Sequence, residues 1–100
     1  MVKVVLLPTA HQDLERIYDF LHGNDITADV LARLGDAISA GLSILEEFPE
    51  AAPMSTAPPM RLLFIPFGRN GYVVAYNYIA AEQTVFIVNI CHSRELSLFK

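Results

Sequence analysis

The chain has 100 residues, of which 53% are hydrophobic and 18% charged, with a formal net charge of −4. That length suits one domain over residues 1–100, and the apolar share excludes a chain without a core. The longest unbroken apolar runs, such as Val4–Leu7 and Val85–Val88, fall far short of the roughly 20 residues that span a bilayer.

Val2 to Leu7 is a short β-branched run closed by Pro8 and reads as a strand. Thr9-Ala-His-Gln12 has the form of a capping box, with hydroxyl and amide satisfying first-turn backbone groups. Leu14, Ile17, Tyr18 and Leu21 then recur at helical spacing, and Gly23 is a natural stop. The helix is expected over about 10–22. Asp25 or Thr27 caps a second helix over about 26–47, whose apolar stripe is Leu31, Leu34, Ile38, Leu42 and Leu45. Ala37, Ala40 and Gly41 leave that helix thin enough to pack closely on the first, and Pro49 ends it. A link as short as Gly-Asn-Asp makes the pair an antiparallel hairpin.

Residues 49–60, PEAAPMSTAPPM, hold four of the six prolines and show no apolar periodicity, which marks a connecting loop. The periodicity then turns strand-like. Arg61–Phe67 is a strand whose Pro66 belongs at an edge or a bulge. Gly68-Arg69-Asn70-Gly71 contains Asn-Gly, the strongest short hairpin signal, and the strand Tyr72–Ile79 follows. Ala80–Gln83 is the next turn, Thr84–Cys91 the last long strand, and residues 93–100 a short tail. The order is βααβββ: an α+β fold with a helical hairpin on one face of a mostly antiparallel sheet, the first strand at an edge or between strands. Leu14, Ile17, Leu21, Leu34, Ile38, Leu42 and Leu45 are expected in the core, above Val73, Val85, Ile87 or their strand alternates.

The charge is unevenly spread. Residues 1–60 carry Lys3, Arg16 and Arg33 against nine acids, net −6, whereas residues 61–100 carry Arg61, Arg69, Arg94 and Lys100 against Glu82 and Glu95, net +2. A dedicated nucleic-acid binder is basic overall, because phosphate neutralisation supplies most of its affinity. Contact with an acidic partner is therefore expected on the C-terminal half. The single cysteine, Cys91, has no internal disulfide partner, and no Cys/His cluster has metal-ligand spacing. With no secretory signal pattern at the N-terminus, a reducing cytoplasmic setting is expected. Neither a metal nor a cofactor is expected.

No standard catalytic signature is present: no Gly-rich phosphate loop, no G-x-S-x-G and no H-E-x-x-H. His11 and His22 stand near opposite ends of the first helix and Cys91 near a strand end, with nothing pairing them as nucleophile and base. Tyr72, Tyr76 and Tyr78 alternate on one strand face, as core or partner-docking residues do, and as a base-stacking platform also would. More distinctive is the succession Arg61, Tyr72-Val-Val-Ala-Tyr76 and Ile90-Cys-His-Ser-Arg94.

Taken in order, Ala10-x-x-Asp13-Leu14-x-x-Ile17, Ile38-x-x-x-Leu42-x-x-Leu45-x-x-x-Pro49, the arginine opening the second strand, Tyr72-x-x-x-Tyr76 and His92-x-Arg94 resemble the RelE/ParE superfamily of bacterial type II toxins over nearly the whole chain. The resemblance implies a growth-inhibiting toxin, a cognate antitoxin that wraps it, and operator DNA bound only through that antitoxin. Two activities occur in the superfamily. RelE-like members are endonucleases of ribosome-bound mRNA, and ParE-like members poison DNA gyrase without hydrolysing anything. For the nuclease, Arg61 would be the phosphate clamp and His92 the general acid or base. The tail position at which several nuclease members carry Tyr is Phe99 here, which cannot donate a proton, and residues 46–52 (Glu-Glu-Phe-Pro-Glu-Ala-Ala) place acids where basic residues are expected. A ParE-like gyrase inhibitor is the better match, which makes Arg61, His92, Arg94 and Phe99 the expected target-binding residues and assigns no catalytic one.

Each has a plainer role open to it. For Arg61 it is to anchor the proline-rich loop or to pair with an acid such as Glu82, for His92 to cap backbone groups, and for Arg94 simply to be exposed. A small α+β binding module without toxicity is the remaining alternative.

Overall fold

The structure, a computed structural model, describes residues 2–24, 26–55 and 60–95. Strand β1 (Lys3–Leu6) leads into helix α1 (Pro8–His22), and α2 (Ala28–Glu47) follows. Strands β2 (Arg61–Phe67), β3 (Asn70–Ile79) and β4 (Thr84–His92) complete the order βααβββ, with a 3-10 turn at Ala80–Glu82. The sheet order is β1-β4-β3-β2. β2, β3 and β4 are antiparallel neighbours, and β1 joins the edge parallel to β4, pairing Lys3 with Thr84 and Leu6 with Ile87. The mostly antiparallel sheet and its helical hairpin are thus as expected, with the first strand at an edge.

Both helices cover one face. Ala10 and Ile17 of α1 and Leu34, Ile38 and Leu45 of α2 are buried in one cluster with Ile65, Tyr72, Val74, Tyr76, Val85, Ile87 and Ile90. Leu14, Leu21 and Leu42 are only half-buried at its margin. Val73 lies outside that cluster, because Tyr72, Val74 and Tyr76 hold the alternate positions that face the helices. Each fully buried aliphatic side chain contributes about 1.5–3 kcal/mol, enough for a dozen to hold a chain of this size.

Several local expectations are corrected. α1 starts at Pro8, with Leu7 as its N-cap and no side-chain cap. Proline suits that position because its missing N–H would have no partner there. The Thr9 hydroxyl instead donates to the Val88 carbonyl. Val88 is the extra residue where the β3–β4 register shifts, since Tyr76 faces Ile87 but Ala75 faces Asn89. The bulge re-aims a carbonyl and Thr9 satisfies it. Thr27 does cap α2, its hydroxyl accepting from the Val30 N–H at 3.4 Å.

Gly41 serves β2, not α1: an added Cβ would lie 2.6 Å from Ile65 Cδ1. Against α1 the thin position is Gly35, where a Cβ would be 3.2 Å from the Tyr18 hydroxyl. The β2–β3 hairpin turns on Gly68-Arg69, with Phe67 paired to Asn70, so Asn70-Gly71 begins the next strand. Gly68 has φ +62° and Arg69 does not share a positive φ, the pattern of a type II′ turn. Among the described residues, no helix is long and apolar enough to cross a membrane.

Candidate functional site

The C-terminal end of β4 holds the densest polar arrangement. The His92 ring meets the Tyr72 ring edge to face at 5.3 Å, and its Nδ1 accepts from the Arg94 backbone N–H at 3.1 Å. In the neutral ring the proton therefore sits on Nε2, leaving that atom as a donor. The His92 backbone N–H donates to Glu95 Oε1 at 3.1 Å, and Glu95 Oε2 accepts from Arg16 Nη1 at 3.0 Å. Arg16 also lies 3.8 Å from Asp13 Oδ1. Asp13 Oδ2 in turn accepts from the Ile90 N–H at 2.8 Å and the Asn89 side chain at 3.1 Å.

These contacts have a structural cause. β1 ends opposite Ile87, so beyond that point β4 is paired with β3 on one side and has no strand on its outer side. Thr9, Asp13 and Glu95 supply the missing partners to Val88, Ile90 and His92. His92 is thereby half-buried and held, while the Arg94 side chain projects from the following turn.

Arg61 lies elsewhere. Its Nη1 donates to the carbonyls of Glu50 (3.1 Å) and Ala52 (2.8 Å), and its Nη2 pairs with Glu50 Oε2 at 3.3 Å. It anchors the proline-rich loop through Glu50 rather than Glu82. A cleft of about 270 Å³ adjoins it, lined by Glu50, Met54, Tyr76 and Asn77 among others. Arg61 is level with Tyr76 on β3, whereas His92 is level with Tyr72. Four residues along the strand and two strand spacings across separate them by about 13 Å and about 10 Å respectively. The structure does not bring Arg61 and His92 together.

The remaining residues sort by burial. Tyr76 is fully buried, and its hydroxyl accepts from the Ala52 N–H at 3.4 Å. Burial raises its pKa, with the Ala52 bond and Arg61 pulling the other way. Tyr72 is also buried, its pKa raised by burial and then by Glu95 and Tyr18. These rings face the helices and are core, not a base-stacking platform. Cys91 is buried, and burial first, then Glu95 and Asp13, push its thiol up to about 11. His11 and His22 are exposed on α1. Among the described residues no group of three or more His, Cys, Asp or Glu could hold a metal. Phe99 lies outside the described residues.

Sequence reasoning passes over Arg69. The two-residue turn exposes it at the end of the sheet where β3 begins and β4 finishes, the end that also carries His92 and Arg94. Its signal was available: a cation inside a tight turn within the basic C-terminal half. The opposite end of the sheet collects Glu50 and Glu82 and receives the C-terminus of α2 with Glu46 and Glu47.

The family model described as ParE toxin of type II toxin-antitoxin system, parDE, matches residues 4–97. Toxin RelE1 of Caulobacter vibrioides (strain ATCC 19089 / CIP 103742 / CB 15) is 33% identical over 92 residues, covering 92% of this chain and 94% of that protein.

Proposed function

The chain belongs to the ParE toxin family of type II toxin-antitoxin systems, within the RelE/ParE superfamily, and on that premise we propose that it halts growth by binding DNA gyrase. The observation that carries this reading is the dispersal of the nuclease constellation. Arg61, which would clamp a phosphate, is spent on two carbonyls and a carboxylate, and His92 stands far from it with its Nδ1 already accepting. A general acid-base pair has to converge on one reacting group. Poisoning by protein contact needs no such convergence, only a surface.

That surface is the basic end of the sheet: Arg69 in its turn, Arg94 after β4, and His92 between them as a fixed donor. The cognate antitoxin covers the toxin until it is released, and operator DNA is reached only through the antitoxin. Purified protein is to be assayed in parallel for inhibition of gyrase supercoiling and for cleavage of message on programmed ribosomes. Inhibition without cleavage is expected, and Arg69→Ala and Arg94→Ala should each weaken it about tenfold, the effect of losing one interface contact worth about 1.4 kcal/mol. Neither should lower the melting temperature measurably, since exposed arginines off the core add little stability. Message cleavage with gyrase untouched would replace this reading by the RelE-like one, towards which the name of the Caulobacter relative points. In that case Arg61→Ala and His92→Ala should cut cleavage by about 10²–10⁴-fold.

A further inference from the structure

A sheet of four strands offers an added strand only its outer edges, and those of this sheet differ in what they present. Along β2 the even-numbered residues face outward, because the Leu62 N–H donates to the Pro53 carbonyl of the loop. Residues 53–55 thus cover the start of that edge, with Met54 bridged to Arg61. Pro66, at the next outward position but one, has no N–H to offer. Only Phe64 keeps an outward N–H, so β2 is blunted against strand addition. Beyond β1, the edge of β4 is sealed by Thr9, Asp13 and Glu95.

β1 is different. Lys3 and Leu7 donate to Gln83 and Ile87 of the β4 side, so by alternation Val4 and Leu6 turn both N–H and C=O away from the sheet. No proline, bulge or loop occupies that edge among the described residues. Its lower end is electrostatically unusual. The Val2 N–H donates to the Glu46 carbonyl at 3.1 Å, which brings the C-terminus of α2 against the start of β1. A helix C-terminus favours cations, yet the last turn of α2 carries Glu46 and Glu47 and no basic residue. Among the described residues neither acid forms an ion pair. The two flank a cleft of about 360 Å³ completed by Val2 and Gln83.

We infer that the outer edge of β1 is the docking strand for an extended segment of the antitoxin, which adds a fifth strand by bonding Val4 and Leu6 and places a Lys or Arg in the cleft beside Glu46 and Glu47. The inference rests on the family's antitoxin partnership and adds to it where the partner enters and with what chemistry. Main-chain bonds give such a strand its affinity irrespective of sequence, and the acids at the cleft select a basic one.

The test uses the full chain and the product of the reading frame adjoining its own. Amide hydrogen exchange is measured residue by residue, free and in complex. Val4 and Leu6 should exchange rapidly in the free chain and at least tenfold more slowly in the complex, while Phe64 keeps its free rate. The variant Glu46→Lys/Glu47→Lys, with Glu46 half-buried and Glu47 exposed in the last turn of a helix that favours cations there, should fold normally and lose at least tenfold in affinity. A complex that forms with Val4 and Leu6 still exchanging freely, or with protection at Phe64 instead, overturns the inference and leaves the partnership standing. Concentration-dependent protection of Val4 and Leu6 in the free chain would assign the edge to a second copy and likewise overturn it. No complex with the wild-type chain would remove the partnership and the inference together.

Discussion

Cys91 and the two buried tyrosines act on stability in one direction. The Cys91 thiol is raised from its usual value to about 11, and Tyr72 and Tyr76 are raised as well, burial being the main cause in each case. A group that binds its proton more tightly when folded contributes stability that is complete below its unfolded pKa and is lost as pH rises through its folded one. Stability should therefore hold up to about pH 9 and fall above it, the thiol's contribution being lost between about pH 9 and pH 11. Thermal melts across that range check this; a flat profile to pH 11 would contradict it, and Cys91→Ala should remove the thiol's share of the slope. By the same logic the native thiol should resist alkylation at pH 8, where an exposed one reacts readily. Arg61 makes a second residue-level case. Arg61→Ala strands the carbonyls of Glu50 and Ala52 and should cost about 1–3 kcal/mol in denaturant melts. Arg61→Lys should recover only part of that, since an ammonium cannot reproduce the planar fork. The residue's place at the head of a strand was readable from the chain, but its engagement was not, because both carbonyls come from a loop without periodicity.

At the scale of elements, the two helices are attached to the sheet by different means. α1 is fixed to β4 by polar side chains that complete a strand edge, whereas α2 sits on β2 through Gly41 and the Ile65 side chain. Gly41→Ala should then destabilise by about 1–3 kcal/mol despite alanine's better helix propensity, because the new methyl enters space held by Ile65. Adding Ile65→Val, which removes the clashing Cδ1, should restore a good part of the loss. Calorimetric melts of the two singles and the double give the coupling; additive losses would show that the glycine is needed for some other reason. The existence and order of the helices and strands are legible because apolar spacing and Gly, Pro and Asn punctuation are local signals, whereas the exact start of α1 and the residues of the β2–β3 turn are not. The capping box expected at Thr9 does not form, for a physical reason. Thr9 is used by the Val88 carbonyl 79 residues away, and a bulge in a distant strand leaves no trace near Thr9. Gly41 is likewise legible as a close-packing position while its neighbour, Ile65, is not, since helical periodicity tells that a face is thin and not what approaches it.

Across the whole molecule the sheet is polarised. Arg69, His92 and Arg94 stand at one end beside the single acid Glu95 of the last turn, and at the other Glu46, Glu47, Glu50 and Glu82 outnumber Lys3 and Arg61. The basic end was half legible: the excess of cations after residue 60 is plain in the sequence, but only the register shows that a turn at residue 69 and a strand end at residue 92 share one edge of the molecule. The apolar surface belongs to the same scale. Phe20, Ile44, Phe48, Met54 and Phe64 are large hydrophobic side chains left 48–66% exposed. Ile44 in the last turn of α2 and Phe48 at its C-cap follow Gly41, which is packed against β2, so their exposed flank borders the outer side of that strand. A chain with such surface is expected to associate when it is alone, because water gains by its burial at about 25 cal/mol per Å² wherever another apolar surface can be found. Sedimentation velocity of the free chain should show concentration-dependent association, and Ile44→Glu/Phe48→Glu, which touches no buried core position, should abolish most of it. The same double variant should bind the antitoxin more weakly if the partner covers this flank as well as the β1 edge. Free chain that stays monomeric at millimolar concentration would show that these side chains are ordinary scattered surface, and would confine the antitoxin's attachment to main-chain and ionic contacts.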